Sequence, residues 1–252
     1  MKKRVATRFS RAAETYAGAA QAQAEAARAC AAALPAGPCG LAVEIGAGGG
    51  LLTELARARC VWSRYVGLDL APGMLARLAL RGPHEAALVA DGEAAPLRPG
   101  RADLLLSASA MQWYRDPWRS IPANLGLLAP GGAFALALFV EGTLAELARA
   151  SAETGFGSVL PLRPAREYAA ILGAAPGIAF QWREWESVQV APTVREALAG
   201  LRRTGATATP APRAHAPARW QAFARRYAEL FAVPGGVRVT YRAVLLWGRR
   251  EG

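Results

Sequence analysis

The stretch Val43-Glu44-Ile45-Gly46-Ala47-Gly48-Gly49-Gly50-Leu51-Leu52 constrains this chain more than any other. It joins a short apolar run to alternating glycines and then to a helical pattern. That order is strand, turn, helix. Glycines at 46, 48 and 50 let the backbone take positive φ and bring a ligand against bare N–H groups at the mouth of a helix. The turn is not the dinucleotide fingerprint G-x-G-x-x-G, because the sixth position is Leu51 counted from Gly46 and Thr53 counted from Gly48. From these residues alone, a glycine-rich connection without a ligand also fits.

A second apolar run, Tyr65-Val66-Gly67-Leu68-Asp69, ends in an acid 19 positions beyond Gly50. An acid at the tip of a second parallel strand can accept both ribose hydroxyls of a nucleoside; its plainer role is a helix N-cap before Pro72. Two further runs close on polar residues, Ala87 to Glu93 and Ala102 to Trp113. At the first, Asp91 could accept from the exocyclic amine of adenine, or Asp91-Gly92 could be an ordinary turn. A fifth strand, Ala133 to Phe139, follows the turn Pro130-Gly131-Gly132, so strands and helices alternate to about residue 155. That rhythm predicts a doubly wound, right-handed α/β sheet with a ligand crevice beyond the strand ends.

After residue 155 the rhythm breaks. Ile178 to Val190 and Val237 to Trp247 have strand character, with helical stretches at about 193–203 and 216–231 between them. The segment Thr204 to Pro212 has the composition of a mobile loop. The expected layout is a single domain over 1–252. Residues 1–36 form an N-terminal cap, helical from about Ser10 to Leu34, and 40–155 a cofactor-binding core. Residues 156–252 supply acceptor-side strands, with a helical lid at about 192–232.

At 252 residues and 53% hydrophobic content, the chain can bury one large core. The basic, alanine-rich opening imitates a leader, but Arg8, Arg11, Glu14, Gln21, Gln23, Glu25 and Arg28 interrupt any apolar stretch, so a cytoplasmic protein without a membrane partner is expected. Cys30, Cys39 and Cys60 lack C-x-x-C spacing and the two histidines lie far apart, which argues against a metal site or a disulfide framework. The net charge of +11 suggests an acidic macromolecular partner. No RNA-binding module or aromatic ladder accompanies it, so nucleic acid is not expected and much of the charge could be solvated surface. The arginines are densest at Arg202, Arg203, Arg213, Arg219, Arg225 and Arg226, a candidate docking face.

The glycine turn with its flanking acid resembles the E/D-x-G-x-G-x-G turn of class I S-adenosylmethionine-dependent methyltransferases. That resemblance implies a Rossmann-like, mostly parallel seven-stranded sheet with S-adenosylmethionine as cofactor. It assigns the backbone of Gly46, Ala47, Gly48 and Gly50 to the methionine part and Glu44 to its neighbourhood. Asp69, Leu70 and Met74 fall on the ribose side, Asp91, Gly92 and Glu93 on the adenine side, and Ser107 and Ala108 beside the cofactor. A narrower resemblance covers nearly the whole length, to the malonyl-acyl-carrier-protein O-methyltransferases of biotin synthesis. It rests on Phe9-Ser10-Arg11-Ala12-Ala13 with Tyr16, Asp69 to Leu75, Ser107 to Trp113, of which Ser107 to Ala110 would pass beside the cofactor, Glu141 to Leu147, Leu201 to Thr207 and Val239-Thr240-Tyr241. The pattern departs at Ser158 to Pro164, where the family carries Asn-Arg-Phe-Leu-Pro; Arg163 is the nearby arginine that could replace the missing one.

The resemblance implies methyl transfer to the free carboxylate of a malonyl group on acyl carrier protein, by a monomer. A carboxylate is ionised at neutral pH and needs no general base. Tyr16, Gln112, Trp113 and Tyr241 are candidates to position the acceptor, with Arg163, Arg202 or Arg203 as carboxylate clamps. Core packing would equally explain Trp113 and Tyr241, and solvent exposure any one arginine. Another small carboxylate or a quinone-like ring is the rival acceptor, and a noncatalytic S-adenosylmethionine- or RNA-binding protein the rival class. After the fourth strand stands Ser107-Ala108-Ser109-Ala110 rather than the N-P-P-Y type of tetrapeptide expected of nitrogen-modifying RNA enzymes.

Overall fold

The computed structural model describes residues 2–206 and 217–252, so the expected loop at Thr207 to Pro212, together with Arg213, lies outside the described residues. Two helices, α1 (Lys2–Ala19) and α2 (Gln21–Ala32), precede β1 (Gly37–Ile45), α3 (Leu51–Arg57), β2 (Cys60–Asp69), α4 (Pro72–Leu75) and β3 (Glu85–Val89). There follow β4 (Ala102–Ala108), α5 (Pro117–Leu125), β5 (Leu128–Phe139), α6 (Ala145–Thr154) and α7 (Ala165–Gly173). Next come β6 (Ile178–Ala191), α8 (Val194–Arg203), α9 (Pro217–Phe231), β7 (Ala232–Val233) and β8 (Gly236–Arg250). Seven strands run in the order β3-β2-β1-β4-β5-β8-β6, and the two-residue β7 pairs with β8 as an eighth. Pairing is parallel from β3 to β5 and antiparallel around β8.

Alternation along β5 sorts the core into two layers. Phe134, Leu136 and Leu138 face α5 and α7, where they pack with Ile121, Leu125, Tyr168 and Ile171. Ala133, Ala135 and Ala137 face the other way, toward Ala27, Cys30 and Ala31 of α2. With alanines on both sides helix and sheet approach closely, and the Cys30 thiol reaches the Ala135 carbonyl at 3.2 Å. Buried apolar side chains on both faces are what a central strand of a doubly wound sheet requires.

Several expectations are corrected. The N-terminal cap is two helices rather than one from Ser10, broken at Ala20 (φ −89°, ψ 45°), and the first begins at Lys2. The helix expected between β3 and β4 is absent, with only a single 3₁₀ turn at Gly92–Ala94, because Pro96, Pro99 and Gly100 remove the donors and rigidity that a helix needs. Val89 is consequently 56% exposed on an edge strand. Pro130-Gly131-Gly132 is an irregular stretch inside β5 rather than a turn before it.

Helix α1 lies against α4 and α8. The Ser10 hydroxyl accepts from the Gly73 amide (3.2 Å), and the Thr15 hydroxyl donates to the Arg203 carbonyl (2.8 Å). A Cβ on Gly73 would meet Cα, Cβ and O of Ser10 at 2.9 Å, so glycine sets how closely α1 settles. Gly73→Ala is expected to lower unfolding stability by about 1–3 kcal/mol through overpacking, less up to about 1 kcal/mol regained from helix propensity. An unchanged urea midpoint would show that α1 does not depend on this contact.

Candidate functional site

Two adjoining cavities open beyond the carboxyl ends of the parallel strands. The smaller, about 120 Å³, is lined by Gly46 and Gly48, by Asp69, Leu70 and Met74, by Asp91 and Gly92, and by Ala108. The larger, about 270 Å³, is lined by Gln112, Trp113 and Tyr241 together with apolar side chains of α6, α8 and the segment 156–162. Phe9, Tyr16, Ser109 and Trp113 line both.

The glycine turn is built differently from the expected cradle of bare amides. Gly46, Gly48 and Gly50 take φ of 75°, 53° and 89°. The amides of Gly46 and Ala47 donate to the Leu68 carbonyl (2.7 and 2.9 Å), and that of Gly48 donates to Asp69 Oδ2 (2.9 Å). Those donors are spent on β2, so the turn presents a flat Cα surface rather than a phosphate nest. A Cβ on Gly46 would collide with that of Ala110, which is why this position carries no side chain.

Asp69 accepts at both oxygens, from Gly48 and from the Ala71 amide (2.7 Å). Burial raises its pKa, against the pull of the three backbone amides. An ionised carboxylate offers about four lone-pair sites, so beyond these amides it retains capacity for a ribose hydroxyl. Asp91 takes the Glu93 amide at one oxygen (3.1 Å) and the Lys2 ammonium at the other (2.5 Å). The lining fits S-adenosylmethionine in its chemistry: glycines without side chains, the Asp69 carboxylate, and the Asp91 carboxylate beside the Gly92 backbone.

Five expected cofactor residues stand behind this lining. Glu44 is buried and accepts from Thr53 Oγ1 and Tyr65 OH (2.7 Å each), pinning α3 and β2 to the end of β1, and burial pushes its pKa up to about 7. Ala47 is buried, Gly50 is the left-handed residue that starts α3, and the Ser107 hydroxyl donates to the Ile45 carbonyl (2.7 Å). Glu93 accepts from the Arg115 and Asp116 amides (2.8 and 2.9 Å) and pairs with Lys2. These residues shape the walls. Sequence reasoning missed Lys2, Val5 and Phe9, which fall with Tyr16 on one face of α1; their i, i+3, i+7 spacing was the available signal.

The acceptor cavity has a distinct chemistry. Its charged lining residues are Arg8 and Arg202, and among the described residues no Asp, Glu or His lines it. Six buried side-chain polar atoms lack partners among the described residues, and four of them belong to this lining: Ser109 Oγ, Gln112 Oε1, Trp113 Nε1 and Ser151 Oγ. Such a concentration marks a surface awaiting a ligand. Burial pushes the Tyr241 phenol up to about 12 and also raises Tyr16, where Asp69 adds to the effect, so both remain neutral hydrogen-bond donors. Arg163 is a correction: its guanidinium pairs with Glu167, one helical turn on, and it does not line the cavity. Arg203 likewise pairs with Glu196 (3.4 Å). On the expected docking face Arg225 pairs with Glu229 (3.7 Å) and Arg226 with Glu153 (2.5 Å).

Asp69→Ala is expected to cut cofactor affinity about 10- to 150-fold, the worth of a hydrogen bond to a charged group; calorimetry on the folded variant checks it. Glu44 carries a second expectation. Its pKa is raised from 4.5 to about 7, so between those values the folded chain holds a proton that the unfolded chain releases. Stability should therefore fall as pH rises through that window, by on the order of 2 kcal/mol. Glu44→Gln should flatten the dependence in denaturation experiments at pH 4.5 and 7.5, and an equally steep variant would assign the dependence elsewhere.

A family model described as a methyltransferase domain matches residues 43–136. The malonyl-[acyl-carrier protein] O-methyltransferase of Chlorobium phaeovibrioides is 31% identical over 217 residues, covering 84% of this chain and 81% of that protein. Trans-aconitate 2-methyltransferase of Methylobacterium radiotolerans is 40% identical over 120 residues, 46% of this chain and 45% of that one. The YcgJ protein of Bacillus subtilis shares the fold, with a TM-score of 0.62 at 14% identity over 90% of this chain and 99% of that chain. By extent and identity of the first match, this chain belongs to the malonyl-[acyl-carrier protein] O-methyltransferase family.

Proposed function

We propose that the chain transfers a methyl group from S-adenosylmethionine to the free carboxylate of a malonyl thioester on acyl carrier protein, giving the methyl ester primer for pimeloyl synthesis in biotin formation. One observation carries the choice of acceptor: a cavity with Arg8 and Arg202 in its lining and no acid or histidine among the described lining residues. An amine or phenol acceptor would need a base to take its proton, whereas a carboxylate with a pKa near 4 arrives ionised. The Arg202 cation favours an anion, and the apolar side chains of α6 and α8 suit a thioester arm.

When bound, S-adenosylmethionine supplies a sulfonium methyl, to which a carboxylate oxygen bonds as the carbon–sulfur bond breaks. The protein's part is placement, worth several kcal/mol when reacting atoms are held in line. Phe9, Tyr16, Ser109 and Trp113 wall the junction, so the transfer belongs there. Tyr16 and Tyr241 donate hydrogen bonds without competing as anions. Closure by α1 excludes water, which disfavours the separated charges of the reactants relative to their neutralised transition state.

A free polycarboxylate is the second reading, favoured by the match to trans-aconitate 2-methyltransferase over nearly half of each chain. Labelled S-adenosylmethionine offered with malonyl carrier protein, malonyl-CoA, free malonate, trans-aconitate and RNA separates the readings; label on a free acid but not on the carrier would overturn the first. Arg202→Leu is expected to raise KM for malonyl carrier protein about tenfold or more, as the loss of a charge-assisted contact does. Arg203→Ala should leave it within about twofold. Equal effects of the two would remove Arg202 from the clamp role.

A further inference from the structure

Ser109 follows the last residue of β4 and holds φ at 58°, a left-handed conformation uncommon for a residue with a side chain. Its backbone is fastened on both sides: the amide donates to the Ala137 carbonyl (2.8 Å), and the carbonyl accepts from Gln112 Nε2 (2.9 Å). The next residue, Ala110, lies against Gly46 so tightly that no Cβ fits between them. Strain of this kind costs about 1–3 kcal/mol and survives only where surrounding contacts enforce it. Ser109 also lines both cavities, and its hydroxyl has no partner and is closed off from solvent. A packing role would not explain a serine here, because alanine fills the same space without leaving a polar atom unpaired.

We infer that Ser109 is a substrate-contact residue of the transfer. Its hydroxyl donates to the carboxylate oxygen that does not attack, in company with Trp113 Nε1–H, the other unpartnered donor shared by the two cavities. Rotation of χ1 between staggered positions redirects the hydroxyl without disturbing the fastened backbone. Two neutral donors suit that oxygen, because they add orientation to whatever charge holds the acceptor. The assignment rests on a carboxylate being the acceptor.

Comparing Ser109→Ala, which keeps the strain and loses the hydroxyl, with Ser109→Gly, which loses both, tests the assignment. In each, kcat/KM for malonyl carrier protein is expected to fall about 10- to 150-fold, the cost of a lost hydrogen bond to a charged group. Cofactor affinity by calorimetry should stay within about twofold, and the melting temperature of Ser109→Gly should be at or above that of Ser109→Ala. Wild-type kcat/KM in either folded variant overturns the assignment, as does a loss of cofactor affinity matching the loss of turnover. A wild-type protein that methylates no carboxylate acceptor sinks the carboxylate reading and this inference together, whereas an active wild type with active variants sinks this inference alone.

Discussion

The hydrogen bond from the Gly48 amide to Asp69 Oδ2 ties the turn after β1 to the tip of β2, and the cofactor cleft depends on that join. Around it, Leu68 takes the amides of Gly46 and Ala47, and Glu44 takes hydroxyls from α3 and β2. The turn is thus held from beneath by two neighbouring elements, β2 and α3. A carboxylate buried in this way is costly unless its lone pairs are met. Asp69 meets part of that demand with backbone amides and leaves the remainder for a ligand.

The larger cavity is organised by charge: among its described lining residues are Arg8 and Arg202, with no Asp, Glu or His, against an apolar wall. The antiparallel β8 supplies Tyr241 from beyond the parallel core, and the insertion carrying α8 supplies Leu198, Leu201 and Arg202. One half of the chain therefore builds the cofactor cleft, and the other completes the cavity over it.

The cofactor half was legible because its signals are positional: glycines, strand-ending acids and apolar runs lie in a fixed order, and Asp69 stands where the second strand must end. The missing helix after β3 was also legible in Pro96, Pro99 and Gly100. Other residues were not. Glu44 looks like a ligand acid in sequence, but Thr53 and Tyr65 converge on it only in three dimensions. Arg163 has Glu167 one helical turn away, a pairing that spacing could have suggested. The first turns of α1 were obscured by a charged, alanine-rich opening, although Lys2, Val5 and Phe9 share a face. For Ser109 the resemblance gave only its segment, beside the cofactor; its left-handed backbone carried no signal, being set by packing against the glycine turn and β5.

Helix α1 has one consequence for how the molecule works in time. The face that presents Lys2 and Val5 to the cofactor cleft also presents Phe9 and Tyr16 to both cavities. Ser10 and Thr15 fasten the helix to α4 and α8 on either flank. Lifting it would uncover both chambers at once, so whatever the two hold would be exchanged together rather than in two independent departures.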